Sequence, residues 1–270
     1  WSGGARPVRP VPFPRRAAGG RVDRFVALGV DTAVPAGPFH ALALAQLRRH
    51  ATDNRRDLPR ILDRKGRVIG PLLRASGPQG TVAIGDLATE IEWAKNRRIG
   101  VADYLDHAVD PPVPADLMLR VYRDYERRKA AAGAIDFEDL LERAVRLFDE
   151  RADAAEEFRS RYLAFTVDEY QDVNLLQQTL LDLWLGDRDD VCVVGDDYQS
   201  IYGFTGASAR WLLALPRRFP QAHVVRLEQN HRPTPAGPAL AKHTGEHTPG
   251  PPAIHHTLRR LLPVTTKATL

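Results

Sequence analysis

Two neighbouring carboxylates, Asp168 and Glu169, close the apolar run "YLAFTV" and open the stretch "DEYQDVN". Paired acids at a strand end can divide two tasks. One can hold Mg²⁺, a hard ion that takes oxygen ligands and keeps several waters. The other can accept a proton from an attacking water. Asp168 suits the first task and Glu169 the second. The structural alternative is a pair of acids that begins a loop and caps the next helix. A second apolar run, "VCVV", ends in "GDDYQSIYG", from Gly195 to Gly203. It brings Gln199 and the ring of Tyr202, and Phe204 follows.

Such groups need a scaffold that gathers strand ends. From Ala134 onward, short apolar runs alternate with helical patterns: "YLAFTV", the helix "LLQQTLLDLWL", "DVCVVGDD" and then "AHVVRLEQN". That alternation predicts a parallel sheet covered by helices. In open parallel sheets, ligands bind beyond the carboxyl ends of the strands, where both polar clusters fall. Asp136, with Asp139 three residues on, is the expected N-cap of the helix "FEDLLERAVRLFDE". Upstream, "FHALALAQLRRH" reads as a helix. Residues 52–133 show helical patterns and no strand pattern, with "LDRKGRV" as a turn and "VADYLDHAV" as a helix. They are expected to form an inserted helical subdomain. Pro7, Pro10, Pro12 and Pro14 make the first stretch irregular or edge-like. The tail from residue 236 has weak periodicity and is expected to be disordered.

Bulk composition narrows the classes. The chain has 270 residues, 43% hydrophobic and 27% charged, enough for a packed core. No apolar run reaches the length of a membrane span, and the N-terminus shows no signal-peptide pattern. One cysteine, Cys192, excludes an internal disulfide and suits a reducing cytoplasm. Lying between valines, it reads as an inert core thiol. A net charge of +4 is compatible with nucleic acid without demanding it. The histidines at 243, 247, 255 and 256 lack a ligand framework and do not read as a metal site.

In order and spacing, "VDEYQDVN", "CVVGDDYQSIYGFTGAS" and "VVRLEQNHRPT" resemble the second, third and fourth motifs of the UvrD/Rep/PcrA family, superfamily 1 DNA helicases. "GPFHALAL" is similar to the family's T-F-H-x-L-A segment, and "DFEDLL" to its D-F-x-D-L-L segment. "VPFPRRAAGGRVDRF" looks like a worn T-F-T-x-x-A-A-x-E-M. The resemblance implies a RecA-like P-loop NTPase sheet with an inserted all-helical subdomain. It divides the chain into RecA-like segments over 1–51 and 134–235, an insert over 52–133 and a tail over 236–270.

The resemblance also assigns roles. Asp168 would hold Mg²⁺, and Glu169 would be the catalytic base. Gln199 would sense the γ-phosphate of ATP and couple it to DNA. Arg232 would neutralise charge on the transferred phosphate. His231 stands where the family has an adenine-stacking Tyr. Tyr202 and Phe204 would stack on bases of single-stranded DNA. Phe39 and His40 would line the same groove, with Phe13 a further candidate. For each aromatic the alternative is core packing. The implied activity is ATP-driven 3′ to 5′ translocation on single-stranded DNA and unwinding at duplex junctions, in the cytoplasm. The implied partners are single-stranded DNA and duplex DNA junctions, with no membrane.

One expected part does not occur. Nowhere does the chain contain G-x-x-x-x-G-K-[ST], whose backbone amides cradle phosphates and whose Lys neutralises them. In the family this loop precedes the segment resembled by "VPFPRRAAGG", so the chain is expected to begin after it. Resemblance to a second RecA-like domain is also lacking after "NHRPTP". Prolines at 12, 14, 38 and 233 replace family hydroxyl residues, and Thr205 replaces a common Arg. The competing expectation is therefore a truncated, non-catalytic remnant with residual single-stranded DNA binding.

Overall fold

A computed structural model describes residues 8–11, 38–75, 82–226 and 257–258. Strand β1 is Val8–Val11. Helix α1 runs over Phe39–Asp53. Strand β2 is Arg60–Ile61, followed by α2, Gly66–Ala75. Next come α3 (Ile84–Asn96), α4 (Tyr104–His107) and α5 (Ala115–Ala131). Strand β3 is Ala134–Ile135, and α6 (Phe137–Glu150) and α7 (Ala152–Arg161) follow it. The remaining elements are β4 (Ala164–Val167), α8 (Leu175–Leu185), β5 (Val191–Val194), α9 (Arg210–Arg218), β6 (Val224–Val225) and β7 (Thr257–Leu258). The result is a helix-rich α/β fold.

The main sheet has the order β1-β4-β5-β7-β6. Strands β1, β4 and β5 are parallel, in register through Val11↔Val167 and Val167↔Val193. Pro10 is tolerated because β1 lies at the edge, where one side of the strand needs no donor. Two features depart from the sequence reading. The tail residues Thr257 and Leu258 pair antiparallel with both β5 and β6, so the sheet is mixed. The segment expected to be purely helical contains β2, which pairs parallel with β3. A two-residue strand leaves no alternation to read. "VADYLDHAV" yields a single short helix, and the backbone at Ala108 is already extended ahead of Pro111.

Two apolar clusters hold the fold. The first lies under the sheet and centres on Trp184. Phe39 and Phe165 stack on its ring at centroid distances of 5.6 and 5.8 Å, and Phe158 tilts against it at 5.5 Å. The second joins α2, α3, α4 and α5 through Ile69, Leu87, Ile91, Tyr104, Met118 and Tyr125. Helix α3 buries Leu87, Ile91 and Ala94, the stripe expected from its period. Pro38 fits the start of α1 because its φ of −65° and ψ of 159° suit a helix entry. Among the described residues, no helix is long and apolar enough to cross a membrane.

Candidate active-site cleft

Because β4 and β5 are adjacent and parallel, their carboxyl ends deliver two loops side by side. Asp168 and Glu169 follow β4. Glu169 adopts φ 53° and ψ 43°, a left-handed conformation that costs a non-glycine residue on the order of 1 kcal/mol. The Glu169 amide donates to Asp168 Oδ1 at 2.9 Å, which fixes the two acids relative to one another.

A buried amide then links the two loops. Gln171, 1% exposed, donates from Nε2 to Glu169 Oε2 at 2.9 Å. Its Oε1 accepts from the Asp196 amide at 2.9 Å. Asp196 in turn accepts from Gln199 Nε2 at 2.8 Å. Glu169, Gln171, Asp196 and Gln199 therefore form one hydrogen-bonded chain across the strand ends. Gly195 is required here: a Cβ would lie 2.8 Å from Gln171 Oε1 and 3.0 Å from Leu212 Cδ2. Further on, the Ser208 amide donates to the Val173 carbonyl at 3.1 Å, and Asn174 bridges Ala207. Gln171 is the positioning residue that the sequence reading quoted but gave no role. Its type, a long amide between acids, was the available signal.

Two carboxylate oxygens at these strand ends, Asp172 Oδ1 and Asp197 Oδ1, are buried without a hydrogen-bond partner. Burial, and then the charge of Glu169, push the Asp172 carboxyl up to about 6. Both are carboxylate oxygens, the donor type that a hard divalent cation such as Mg²⁺ takes.

The loops open on a cleft of ≈ 880 Å³ that includes Glu169, Gln171, Asp172, Gln199, His40 and Tyr202. Tyr202 and Phe204 present 47% and 60% of their surface to solvent, with ring centroids 6.0 Å apart. His40 also reaches this cleft, edge-on to Phe137 at 5.6 Å. Burial, and then the nearby Lys65 charge, hold the His40 imidazole down to about 4, so it is neutral at pH 7. Phe39 requires a correction. It is 0% exposed and stacked on Trp184, so it has no face to offer a base. The helix that carries both residues turns Phe39 inward and its neighbour His40 toward the cleft. Phe137, 42% exposed, lines the cleft where Phe39 does not. The period of α6 predicts Phe137 inside, but its place at the first helical position carries it past the core. Arg232, His231 and Phe13 lie outside the described residues. Cys192 sits in β5 and is only partly buried.

All three lysines among the described residues converge on the first turn of α6, and Lys65, with its partners Glu138 and Glu92, also lines the cleft. Lys95 Nζ lies 2.7 Å from Asp136 and 3.0 Å from Glu126, and it also pairs with Asp139. Lys129 Nζ lies 2.7 Å from Glu126 and 3.0 Å from Asp136. Lys65 pairs with Glu138 at 2.8 Å and with Glu92 at 2.9 Å. Asp136 is also the N-cap, in a reciprocal capping box with Asp139 as expected. The carboxylates of Glu126, Asp136 and Asp139 come close enough to chelate a metal. The ammonium groups of Lys95 and Lys129 already pair with them, so this cluster is an ionic hub that ties α3 and α5 to α6.

Comparison with known proteins places the chain in the UvrD/REP helicase family. The profile of the UvrD/REP helicase N-terminal domain matches residues 30–220. ATP-dependent DNA helicase UvrD2 of Mycobacterium tuberculosis is 41% identical over 281 residues, covering 92% of this chain and 40% of that protein. ATP-dependent DNA helicase PcrA of Staphylococcus epidermidis is 29% identical, covering 78% of this chain and 30% of that protein. PcrA of Staphylococcus aureus is 33% identical over 152 residues. The chain thus spans about two-fifths of the length of its mycobacterial relative.

Proposed function

The chain belongs to the UvrD/REP helicase family, and on that premise we propose that it is the motor portion of an ATP-dependent helicase that translocates 3′ to 5′ on single-stranded DNA. The observation that carries this reading is the chain Glu169–Gln171–Asp196–Gln199. It ties a carboxylate suited to general-base work to the loop whose exposed rings suit stacked bases. A shift of Gln199 toward a phosphate would pull on both ends. Such a link is what coupling hydrolysis to DNA requires.

Within this reading, Glu169 takes the proton of the attacking water, and the bond from Gln171 holds its carboxylate in place. Asp168 and the orphaned oxygen of Asp172 are the groups that would hold Mg²⁺. The ion would supply charge neutralisation for the phosphates. The RecA-like sheet, the insert over 52–133 and a cytoplasmic setting belong to the same reading. So do Gln199 as phosphate sensor, and Arg232 and His231 as transition-state and adenine contacts. Tyr202, Phe204, His40 and Phe137 form the wall against single-stranded DNA, where sequence-tolerant stacking contributes ~1–3 kcal/mol per base.

A second reading applies to the 270-residue polypeptide by itself: single-stranded DNA binding without catalysis. It is favoured because the chain contains no G-x-x-x-x-G-K-[ST]. The three lysines of the described region are also committed to carboxylates. Phosphate positioning, a large part of phosphoryl-transfer catalysis, then has no loop to perform it. Fluorescence anisotropy with labelled oligo(dT) should give weak, salt-sensitive binding, with Kd in the range ~10⁻⁴–10⁻⁶ M. DNA-stimulated ATP hydrolysis should be absent. Turnover that disappears in Glu169→Gln would restore the catalytic reading for this polypeptide, and no DNA binding at any salt would remove both readings.

A further inference from the structure

The end of α3 is a junction. Lys95 enters the ionic hub on α6. Arg98, just beyond the helix with φ 58°, sets its guanidinium against Glu142 of α6 through bonds of 3.1 and 3.2 Å. Asn96 points elsewhere. Its Nδ2 donates to the Thr205 carbonyl at 2.8 Å, across a sequence separation of 109 residues. Thr205 belongs to the loop that displays Tyr202 and Phe204. The next residue, Gly206, has φ +91°, and a Cβ there would lie 3.1 Å from Asn96 Cβ and 3.3 Å from the Trp93 carbonyl. Loop backbone and helix meet with no space for a side chain, and only glycine satisfies both the angle and the approach.

The loop's other bonds divide into two kinds. Thr205 and Ala207 amides donate to the Tyr202 carbonyl at 3.0 and 3.3 Å, and the Gly206 amide to Gly203 at 3.0 Å. These keep the loop's shape but do not say where it stands. Its placement comes from the Ser208–Val173 bond and the Asn174–Ala207 bridge near the strand ends, and from Asn96 on the opposite side.

We infer that Asn96 is a positioning residue: through the Thr205 carbonyl it latches the aromatic loop to α3, so the helical insert sets where Tyr202 and Phe204 stand. The inference deepens the proposed function and rests on its reading of those rings as the DNA contact. Lys95 and Asn96, adjacent in sequence, fasten one helix end both to α6 and to the loop. A displacement of the insert against the sheet would therefore carry the rings with it.

Two measurements on the 270-residue chain test this. Hydrogen exchange reads the amides of Gly206 and Ala207, and anisotropy reads affinity for labelled oligo(dT) at low salt. Asn96→Ala removes the donor. Asn96→Asp keeps the shape without the donor and carries the comparison if the alanine variant does not fold. Both should speed loop exchange roughly three- to tenfold and weaken DNA binding by a similar factor, the scale of one hydrogen bond. Exchange at Val193 in β5 should not change. Unaltered loop exchange in both variants overturns the latch. Faster exchange with unaltered affinity overturns the claim that the latch positions the rings. If the wild-type chain itself does not bind DNA, the reading of the rings fails, while loop exchange still decides the latch.

Discussion

Acidic side chains cluster in two places in this protein, and they are treated in opposite ways. At the first turn of α6, Asp136, Glu138 and Asp139 are met by three lysines, and Asp136 also receives the Tyr125 hydroxyl at 2.9 Å. At the ends of β4 and β5, Asp172 and Asp197 make no ion pair with a lysine among the described residues. Glu169 is held by an amide, and Asp172 and Asp197 each keep a buried oxygen without a partner. Carboxylates met by lysines make a joint, because the ammonium groups stand where a cation would bind. Under-compensated charge makes a site, because a ligand must complete it. The contrast also explains why the carboxylate triad at the hub is no metal site despite its close oxygens.

The largest effect should come from breaking the joint. Lys95→Met leaves buried carboxylates short of an ammonium, a loss on the order of 3 kcal/mol. Urea denaturation should show it as an earlier midpoint. Stability equal to wild type would mean that the hub is not what fastens α3 and α5 to α6. Next in size is the site. Tyr202→Ala combined with Phe204→Ala should weaken oligo(dT) binding by ~2 kcal/mol, while the unfolding free energy from urea titration stays within ~0.5 kcal/mol of wild type. Equal affinity would show that the rings do not contact DNA.

Gln171→Ala lies between these extremes in kind. It leaves the Asp196 amide without its acceptor and should cost ~1–2 kcal/mol of stability. Loss of protection at the Asp196 amide, read by hydrogen exchange, is the specific sign.

The smallest effect is pH-dependent, and its sign separates Asp172 from Asp136. The folded state raises the Asp172 carboxyl to about 6, so the native protein holds that proton more tightly than the unfolded chain. Its contribution therefore favours folding at low pH and is lost as pH rises from about 4 through about 6. Asp172→Asn should remove this slope and raise stability at pH 7 by ~1 kcal/mol after allowing for solvent screening. Asp136 runs the other way. The Lys95 and Lys129 charges outweigh its desolvation and hold it well below the usual carboxylate range. Its stabilisation is present above an ordinary aspartate pKa and is lost only in strong acid. Paired urea titrations of Asp172→Asn and wild type at pH 4 and pH 7 would expose the difference.

The motif residues were legible because their chemistry is local. Asp168 and Glu169 follow an apolar run that ends where a strand must, and the Asp136–Asp139 box is written within one turn. Phe39 and His40 were not separable, since neighbours on a helix differ only in which way the helix faces. Phe137 and β2 escaped for a related reason: one lies beyond the end of the core, and the other is too short to show a period.

By itself, the sequence determined the alternation of strands and helices, the acids and amide at the strand ends, and the family to which they belong. These are carried by residue type and near-neighbour spacing. Only the tertiary structure decided that Gln171 joins two loops, that three lysines converge on one helix turn and that Asn96 reaches Thr205. Such contacts span long separations along the chain, and nothing in local periodicity encodes which distant side chain will complete a buried hydrogen bond.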